Sequence, residues 1–526
     1  MTATHTTGTP DTSGSTPNTR GSSPHTSGSR PDTLDRAAAT TLPSGGSAPR
    51  EAAAARRSVG RAAAREPARL QRDLRDHLLL NFTDMSRFDQ TDLPVFVRGD
   101  GCHVIDAHGR RFIDGLSGLF CTNLGHSYGA EVGAAAASQL SELVFTPTWT
   151  VAHPAAIELA ERIASYAPDG MEHVFFTSSG SEAVESAWKL ARQWHTQRGE
   201  PQRRKAIARR YAYHGTSLGA LSFTGYAAAR APFEPLAVPT HHVSPTYAYR
   251  HPLGEDETAF SAALLEEIDA AIEFEGADTI AMLIAEPVQN SGGSYMPPAG
   301  YWSGLRDICD RHGILLVADE VITGFGRVGH WFASERFGVV PDMITFAKGV
   351  TAGHAPLGGV VVHGRVAEPF TSGRTTFAHG LTWGGHPLSA AIALTVLDII
   401  EREDVIAHVR HNEPQIRARL ETMRNLPLVG DVRGAGHFWA LELVKDKDSK
   451  LAFTPAEADW LLRDVLSSRM WDAGLLCRLD DRAEPVIQLS PPLVADMALI
   501  DEMLTIVADA LEHVSTLVER GHRPAA

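Results

Sequence analysis

The chain has 526 residues, 43% hydrophobic, 7% aromatic and 21% charged, with 48 Lys+Arg against 63 Asp+Glu for a net charge of -15. Such a composition can bury a large core and excludes wholly disordered, collagen-like and disulfide-scaffold proteins. The negative charge excludes a generic phosphate-backbone binder, so no nucleic acid and no membrane surface is an expected partner.

The first 66 residues contain no Phe, Trp, Tyr or Lys, and their eight Arg against five Asp+Glu make them +3, leaving -18 for the rest. A stretch so poor in large apolar residues cannot offset the entropy of ordering it, so residues 1–66 are expected to be a disordered tail or the product of a mis-assigned start. Arg56-Arg57 is followed by no apolar run of signal-peptide length, so neither export nor organelle import is predicted.

From Pro67 the chain reads as α/β, without an internal repeat. Helical spacing over residues 134–143 and 155–166 precedes an apolar strand at 173–177. The turn Ser178-Ser179-Gly180-Ser181 then leads into an amphipathic helix from Glu182, with Val184, Ala187, Trp188, Ala191 and Trp194 on one face. A short strand at 206–208, a helix at 260–274 and strands at 281–285, 314–318 and 343–347 follow. Near-continuous apolar strands joined by helices imply a mostly parallel sheet covered by helices on both faces. From about Ala390, long helices mix with strands at 438–444 and 486–489, which suggests a second, smaller α+β domain.

The four cysteines, Cys102, Cys121, Cys309 and Cys477, stand far apart with no Cys-x-x-Cys pair. Neither a disulfide frame nor a metal site is indicated, and reduced thiols in a cytoplasmic protein are expected. No apolar run approaches the roughly 18 to 20 residues that span a bilayer, so a soluble protein is expected.

Three of the strands end in charge: 279–285 runs into Glu286-Pro287, 314–318 into Asp319-Glu320, and 343–347 into Lys348-Gly349. Ligands of open α/β sheets bind beyond the carboxyl ends of the strands, so Glu286, Asp319 and Lys348 point toward one crevice. Desolvating such charges requires partners: either Asp319 and Lys348 form an internal ion pair, or a cofactor uses both. The Ser- and Gly-rich turn at 178–181 exposes helix N-terminal amides that suit a phosphate, although the same residues serve as ordinary caps. It matches neither the Walker nor the Rossmann glycine pattern. Tyr211-Ala-Tyr213-His214-Gly215 offers an aromatic plate, or simply core. Phosphate anchoring, a carboxylate, an aromatic plate and a lysine amine together are what pyridoxal 5'-phosphate requires.

On these residues the chain resembles the class III aminotransferases of the fold-type I pyridoxal-phosphate enzymes, over about residues 75–515. The most specific stretches are Leu-Leu-Val-Ala-Asp-Glu-Val-Ile-Thr-Gly-Phe-Gly-Arg-Val-Gly at 315–329 and Pro-Asp-Met-Ile-Thr-Phe-Ala-Lys-Gly at 341–349. The resemblance implies Lys348 as the Schiff-base lysine and general acid/base, and Asp319 as partner of the pyridinium nitrogen. It implies Val321 and Tyr213 on the two ring faces, Ser179, Gly180 and Ser181 in the phosphate cup, and His214 and Glu286 beside the cofactor. Thr382, in Thr-Trp-Gly-Gly-His-Pro, matches the position that reaches the phosphate of a neighbouring subunit, implying a homodimer or dimer of dimers with shared sites.

Two departures narrow the class. Ile322 stands where ornithine- and 4-aminobutyrate-type members have Gln, and Ser291 where they carry a switch glutamate. That glutamate neutralises a carboxylate-binding arginine when the substrate lacks a carboxylate. Arg478 resembles the mobile arginine of the ω-amino-acid/amine:pyruvate branch, or is an ordinary arginine near Asp480 and Asp481; Phe120 and Trp149 fall where that branch lines its substrate pocket, or are core.

The implied activity is a ping-pong transamination from an amine or ω-amino acid to a 2-oxo acid, pyruvate foremost; an aminomutase or decarboxylase of the same family is the alternative. The implied organisation is a segment at 67–130 contributing to the small domain, a large cofactor domain at 131–389, a C-terminal small domain at 390–516 and a flexible end at 517–526.

Overall fold

The computed structural model describes residues 66–88, 92–373 and 375–520. The expected tail through residue 65 and residues 521–526 lie outside the described residues. The described residues open with a helix, Pro67–His77, whose Gln71 side chain is buried and exchanges hydrogen bonds with the backbone of Leu93 at 2.7 and 3.1 Å.

An antiparallel meander follows: β1 (Phe96–Asp100), β2 (His103–Asp106) and β3 (Arg111–Asp114). The central sheet has seven strands, β4 (Met171–Thr177), β5 (Lys205–Arg209), β6 (Thr240–Val243), β7 (Ile280–Ala285), β8 (Leu315–Asp319), β9 (Met343–Phe346) and β10 (Gly358–His363), in the order β4-β10-β9-β8-β7-β5-β6. The five strands from β9 to β6 are parallel, while β10 runs antiparallel to both neighbours. The sequence reading did not include β10.

Strands β7, β8 and β9 are buried throughout because both faces are covered. Successive side chains point to opposite faces. Met282, Ile284, Leu315 and Val317 therefore pack with Val184, Ala187, Ala191 and Trp194 of helix Gly180–Gln197. Leu283, Ala285, Leu316 and Ala318 pack on the other face with Leu159, Ile163, Leu264, Ile268 and Leu305 from helices Pro154–Tyr166, Glu257–Glu275 and Tyr301–His312.

Near the C-terminus, β11 (Val429–Ala435), β12 (Phe438–Leu443), β13 (Leu475–Leu476), β14 (Arg478–Asp480) and β15 (Val486–Leu489) complete the strands. Four of them form an antiparallel sheet ordered β11-β12-β15-β14, whose apolar face packs on helices Val405–Met423 and Met497–Glu519. The last helix runs past residue 517, where a flexible end was expected, because Leu504, Val507, Leu511 and Val514 keep one face in that core. β13 pairs parallel to β3, so segments from near both chain ends share a sheet. No helix among the described residues is long and apolar enough to cross a membrane.

Candidate functional site

At the carboxyl edge of the parallel strands lies a cavity of about 440 Å³, lined by Ser179, Gly180, Ser181, Tyr213, His214, Glu286, Asp319, Val321 and Lys348. Asp319 ends β8, and the other eight follow the carboxyl ends of β4, β5, β7, β8 and β9, Gly180 and Ser181 in the first turn of the helix after β4. The sheet register places them: Asp319 is directly opposite Thr345 on β9, and Ala285 is opposite Ala318.

The turn after β4 is built locally. Ser179 has extended backbone and accepts the Glu182 amide through Oγ at 3.3 Å, which starts the helix two residues earlier than expected. Glu182 in turn accepts the Ser178 amide and hydroxyl at 2.8 and 2.6 Å. The first helical amides have no acceptor inside the helix, leaving donors at the cavity wall. Two glycines admit this close approach. A Cβ on Gly180 would lie 2.9 Å from Val321 Cγ1, and one on Gly215, whose φ is +116°, would lie 2.2 Å from Ser181 Oγ.

Asp319 is buried, and its two oxygens are differently engaged. Oδ2 lies 2.6 Å from His214 Nδ1, while Oδ1 accepts the Thr345 hydroxyl at 3.0 Å and the Val321 amide at 3.2 Å. Its side-chain partner on that oxygen is thus His214 and not Lys348, and the internal Asp319–Lys348 ion pair is absent. Glu286 braces the same turn region, accepting the Tyr213 amide at 3.1 Å and the Asn290 amide at 2.9 Å. Burial pushes its carboxyl above the usual range, against the nearby His214.

Lys348 starts a short 3-10 turn with a left-handed φ of 39° and is partly exposed, to the cavity it lines. Enclosure lowers its pKa below the ordinary lysine value, while the Asp319 carboxylate opposes the shift. The amine is therefore more often neutral than a surface lysine's. Tyr213 stacks on Tyr226 with ring centroids 6.5 Å apart and planes 19° from parallel.

Four expected residues do not line this cavity. Phe120 is buried edge-on to Phe438, centroids 5.8 Å apart. The Arg478 guanidinium lies 5.8 Å from the Phe120 ring centroid and 3.2 Å from Asp480, so it is no ordinary surface arginine. Its charge reaches both Tyr213 and Lys348. Trp149 is 57% exposed, and Thr382 is exposed next to Trp383.

Several lining residues were not anticipated. Cys121 and the loop 353–357 close one side of the cavity, the loop leading directly into β10. Recognising Gly358-Gly-Val-Val-Val as a strand would have exposed that loop as a strand end. Arg327, which lies within the 315–329 stretch but had no role assigned, is fully buried and donates to Ser117 Oγ, Asn123 Oδ1 and the Pro491 carbonyl at 3.1, 2.8 and 2.6 Å. It ties the strand-end motif to both outlying parts of the chain. Among the described residues no cluster of three His, Cys, Asp or Glu side chains could hold a metal ion.

An α/β sheet with a lysine and a histidine-anchored aspartate at one strand-end cavity defines a class of site, and comparison with known proteins agrees with it. The family profile described as aminotransferase class-III matches residues 86–511. The chain is 50% identical over 418 residues to a probable aminotransferase of Mycobacterium tuberculosis, covering 80% of this chain and 89% of that one. It is 36% identical over 446 residues to the putrescine–pyruvate aminotransferase of Pseudomonas aeruginosa, covering 84% and 96%. Among solved structures, an (S)-enantioselective omega-transaminase from Thermomicrobium roseum superposes with a TM-score of 0.82 at 39% identity, covering 86% of this chain and 99% of that one. The chain belongs to the class III aminotransferases.

Proposed function

We propose that the protein is a pyridoxal 5'-phosphate-dependent transaminase that moves an amino group from an amine or ω-amino acid to a 2-oxo acid, pyruvate foremost. The observation that carries this reading is the meeting of Lys348, the Asp319–His214 pair and the Ser179 turn at one cavity. The residues present fit the cofactor: two glycine positions that a Cβ would fill, helix amides for a phosphate, and a buried carboxylate and a lysine lining the same cavity.

When bound, pyridoxal phosphate supplies an aldehyde for amine condensation and a ring that accepts electrons. Lys348, whose amine is shifted toward the neutral form by burial, would hold the cofactor's aldehyde carbon and, once freed, would take the proton from the donor carbon and deliver it to that cofactor carbon. Asp319 would hold a proton on the ring nitrogen, and His214 positions Asp319. Val321 and Tyr213, both lining the cavity, would hold the two ring faces, with Glu286 fixing the Tyr213 backbone. Ile322, which lines the cavity, offers no hydrogen bond to the ring hydroxyl. Arg478, whose guanidinium faces the Phe120 ring, receives the carboxylate of the 2-oxo acid.

The reading includes a homodimer or dimer of dimers in which Thr382 serves the neighbouring site. It is supported by the exposed aromatic group beside Thr382, where Phe145 and Trp383 rings meet at 5.3 Å and Trp149 Nε1 donates to the Leu381 carbonyl. It takes residues 131–389 as the cofactor domain and places the enzyme in the cytoplasm, consistent with four free cysteines.

The test is a panel of amine donors with pyruvate and 2-oxoglutarate as competing acceptors. Alanine formed in step with a carbonyl product is the expected outcome. Carbon dioxide release, or isomerisation without an acceptor, would overturn it in favour of a decarboxylase or aminomutase.

A further inference from the structure

Arg478 belongs to a charge group that lies within one strand and its following turn. Residues 478 and 480 of β14 share a face, since side chains alternate along a strand. Asp480 is 4% exposed; Oδ2 contacts Arg478 Nη2 at 3.2 Å, while Oδ1 accepts the backbone amide of Arg482 at 3.0 Å and lies 3.7 Å from its Nε. A single buried carboxylate therefore stands between two guanidinium groups. Asp481 is engaged elsewhere, with Arg463 at 2.8 Å.

The two arginines are supported differently. Arg478 has Asp480 and the Phe120 face. Arg482 donates to the Oγ of the fully buried Ser291 at 2.7 Å, and its guanidinium lies 4.9 Å from the Tyr226 ring and 5.7 Å from the Tyr213 ring. Aromatic faces and a hydroxyl stabilise a delocalised cation without a full counter-charge. Arg482 can thus wait without the carboxylate, whereas Arg478 depends on it.

We infer that Asp480 is the resident counter-ion of Arg478 while a substrate without a carboxylate is bound, and that it turns to Arg482 when the carboxylate of a 2-oxo acid takes Arg478. Charge balances in the second state: two guanidinium groups face two carboxylates. In the first, the one excess positive charge rests on the ring-stacked Arg482. The motion is a carboxylate rotation about an oxygen already held by the Arg482 amide, with no backbone shift. Ser291 serves here as a hydroxyl support for Arg482, and Asp480 is a positioning residue that lets one pocket accept both an amine and a 2-oxo acid. The inference rests on the carboxylate-binding role of Arg478 proposed above.

The test uses holoenzyme, separate half-reactions with a carboxylate-free amine and with pyruvate, and propionate as an unreactive carboxylate. Asp480→Asn should raise the amine KM about tenfold and lower the propionate inhibition constant several-fold. Arg482→Gln should do the reverse, raising the pyruvate KM and the propionate constant about tenfold while the amine KM falls. Opposite movements in either variant that retains cofactor support the hand-over; parallel movements, or none, overturn it. A wild-type enzyme that transfers no amino group from any amine or ω-amino acid to a 2-oxo acid overturns the parent reading instead, and one that uses ω-amino acids but no carboxylate-free amine overturns the hand-over alone, before any variant is compared.

Discussion

His214 Nδ1 lies 2.6 Å from Asp319 Oδ2, with both side chains buried beneath the cavity. The imidazole comes from the turn after β5 and the carboxylate from the end of β8, so the contact locks two strand ends and fixes which oxygen faces the ligand. Asp319→Asn should reduce turnover about 10³-fold, since it removes the charge facing the ring, while cofactor occupancy falls far less. Parallel titrations of activity and of bound cofactor measure the two; equal losses would reassign Asp319 to a structural role.

Lys348→Ala, reconstituted with pyridoxal phosphate and desalted, should lack the visible absorbance of lysine-bound cofactor, and turnover should fall roughly 10⁴-fold or more. An unchanged spectrum would remove Lys348 from the chemistry. Because burial lowers its pKa, cofactor uptake by the apo-protein should hold its rate to a lower pH than an ordinary lysine near ~10.4 would allow. Asp319→Asn should push that limit lower still, since the carboxylate favours the ammonium form.

Gly180→Ala places a Cβ 2.9 Å from Val321 Cγ1, closer than carbon atoms tolerate. The expected result is a weakening of cofactor binding by about tenfold, corresponding to 1.4 kcal/mol. The double variant Gly180→Ala, Val321→Ala should recover most of it, as judged by equilibrium dialysis. Additive losses would mean that the Gly180 backbone, and not its clearance from Val321, is what matters.

Arg478→Ala should raise the KM for pyruvate about a hundredfold and that for a simple amine much less. Steady-state kinetics on both substrates decide the matter, and equal effects would show that the guanidinium does not read the carboxylate.

His437 is fully buried, and burial together with the charge of Arg327 pushes its pKa down to about 3. The unfolded imidazole titrates near ~6.5, so the native state is fully favoured above that value and loses stability as pH falls toward 3, by about 1.4 kcal/mol per pH unit. His437→Asn should flatten the decline by that amount between pH 6.5 and 5. Urea midpoints at the two pH values provide the measurement, and an unchanged slope would show that His437 is not the proton acceptor.

Charged residues at the ends of apolar strands are legible in the sequence, because few physical situations permit Asp319 and Lys348 to stand there. Strand assignments near the site hold to within a residue or two, with β8 extending over Asp319 itself. Helix Gly129–Glu142 begins five residues ahead of the apolar spacing, since Gly129 and Gly133 carry no hydrophobic signal. β10 escaped because its two leading glycines carry no hydrophobic signal, which leaves only three apolar residues in a row. The arrangement of Arg478, Asp480, Arg482 and Ser291 escaped as well, because the partners lie 191 positions apart and the contact depends on how the C-terminal sheet meets the central one.

The antiparallel strand β10 has a consequence for scale. It separates β4, which leads into the Ser179 turn, from β9, which leads into Lys348, so these two strand ends stand two strand spacings apart, about 10 Å. Its first residue, Gly358, would bring a Cβ within 2.8 Å of the Ser179 carbonyl and 2.9 Å of the Phe346 carbonyl, so only a bare backbone fits between them. The sheet thereby works as a ruler whose graduation is the interstrand distance. A ligand gripped at both marks has its length measured by backbone hydrogen bonds, which side-chain substitutions around the pocket cannot reset.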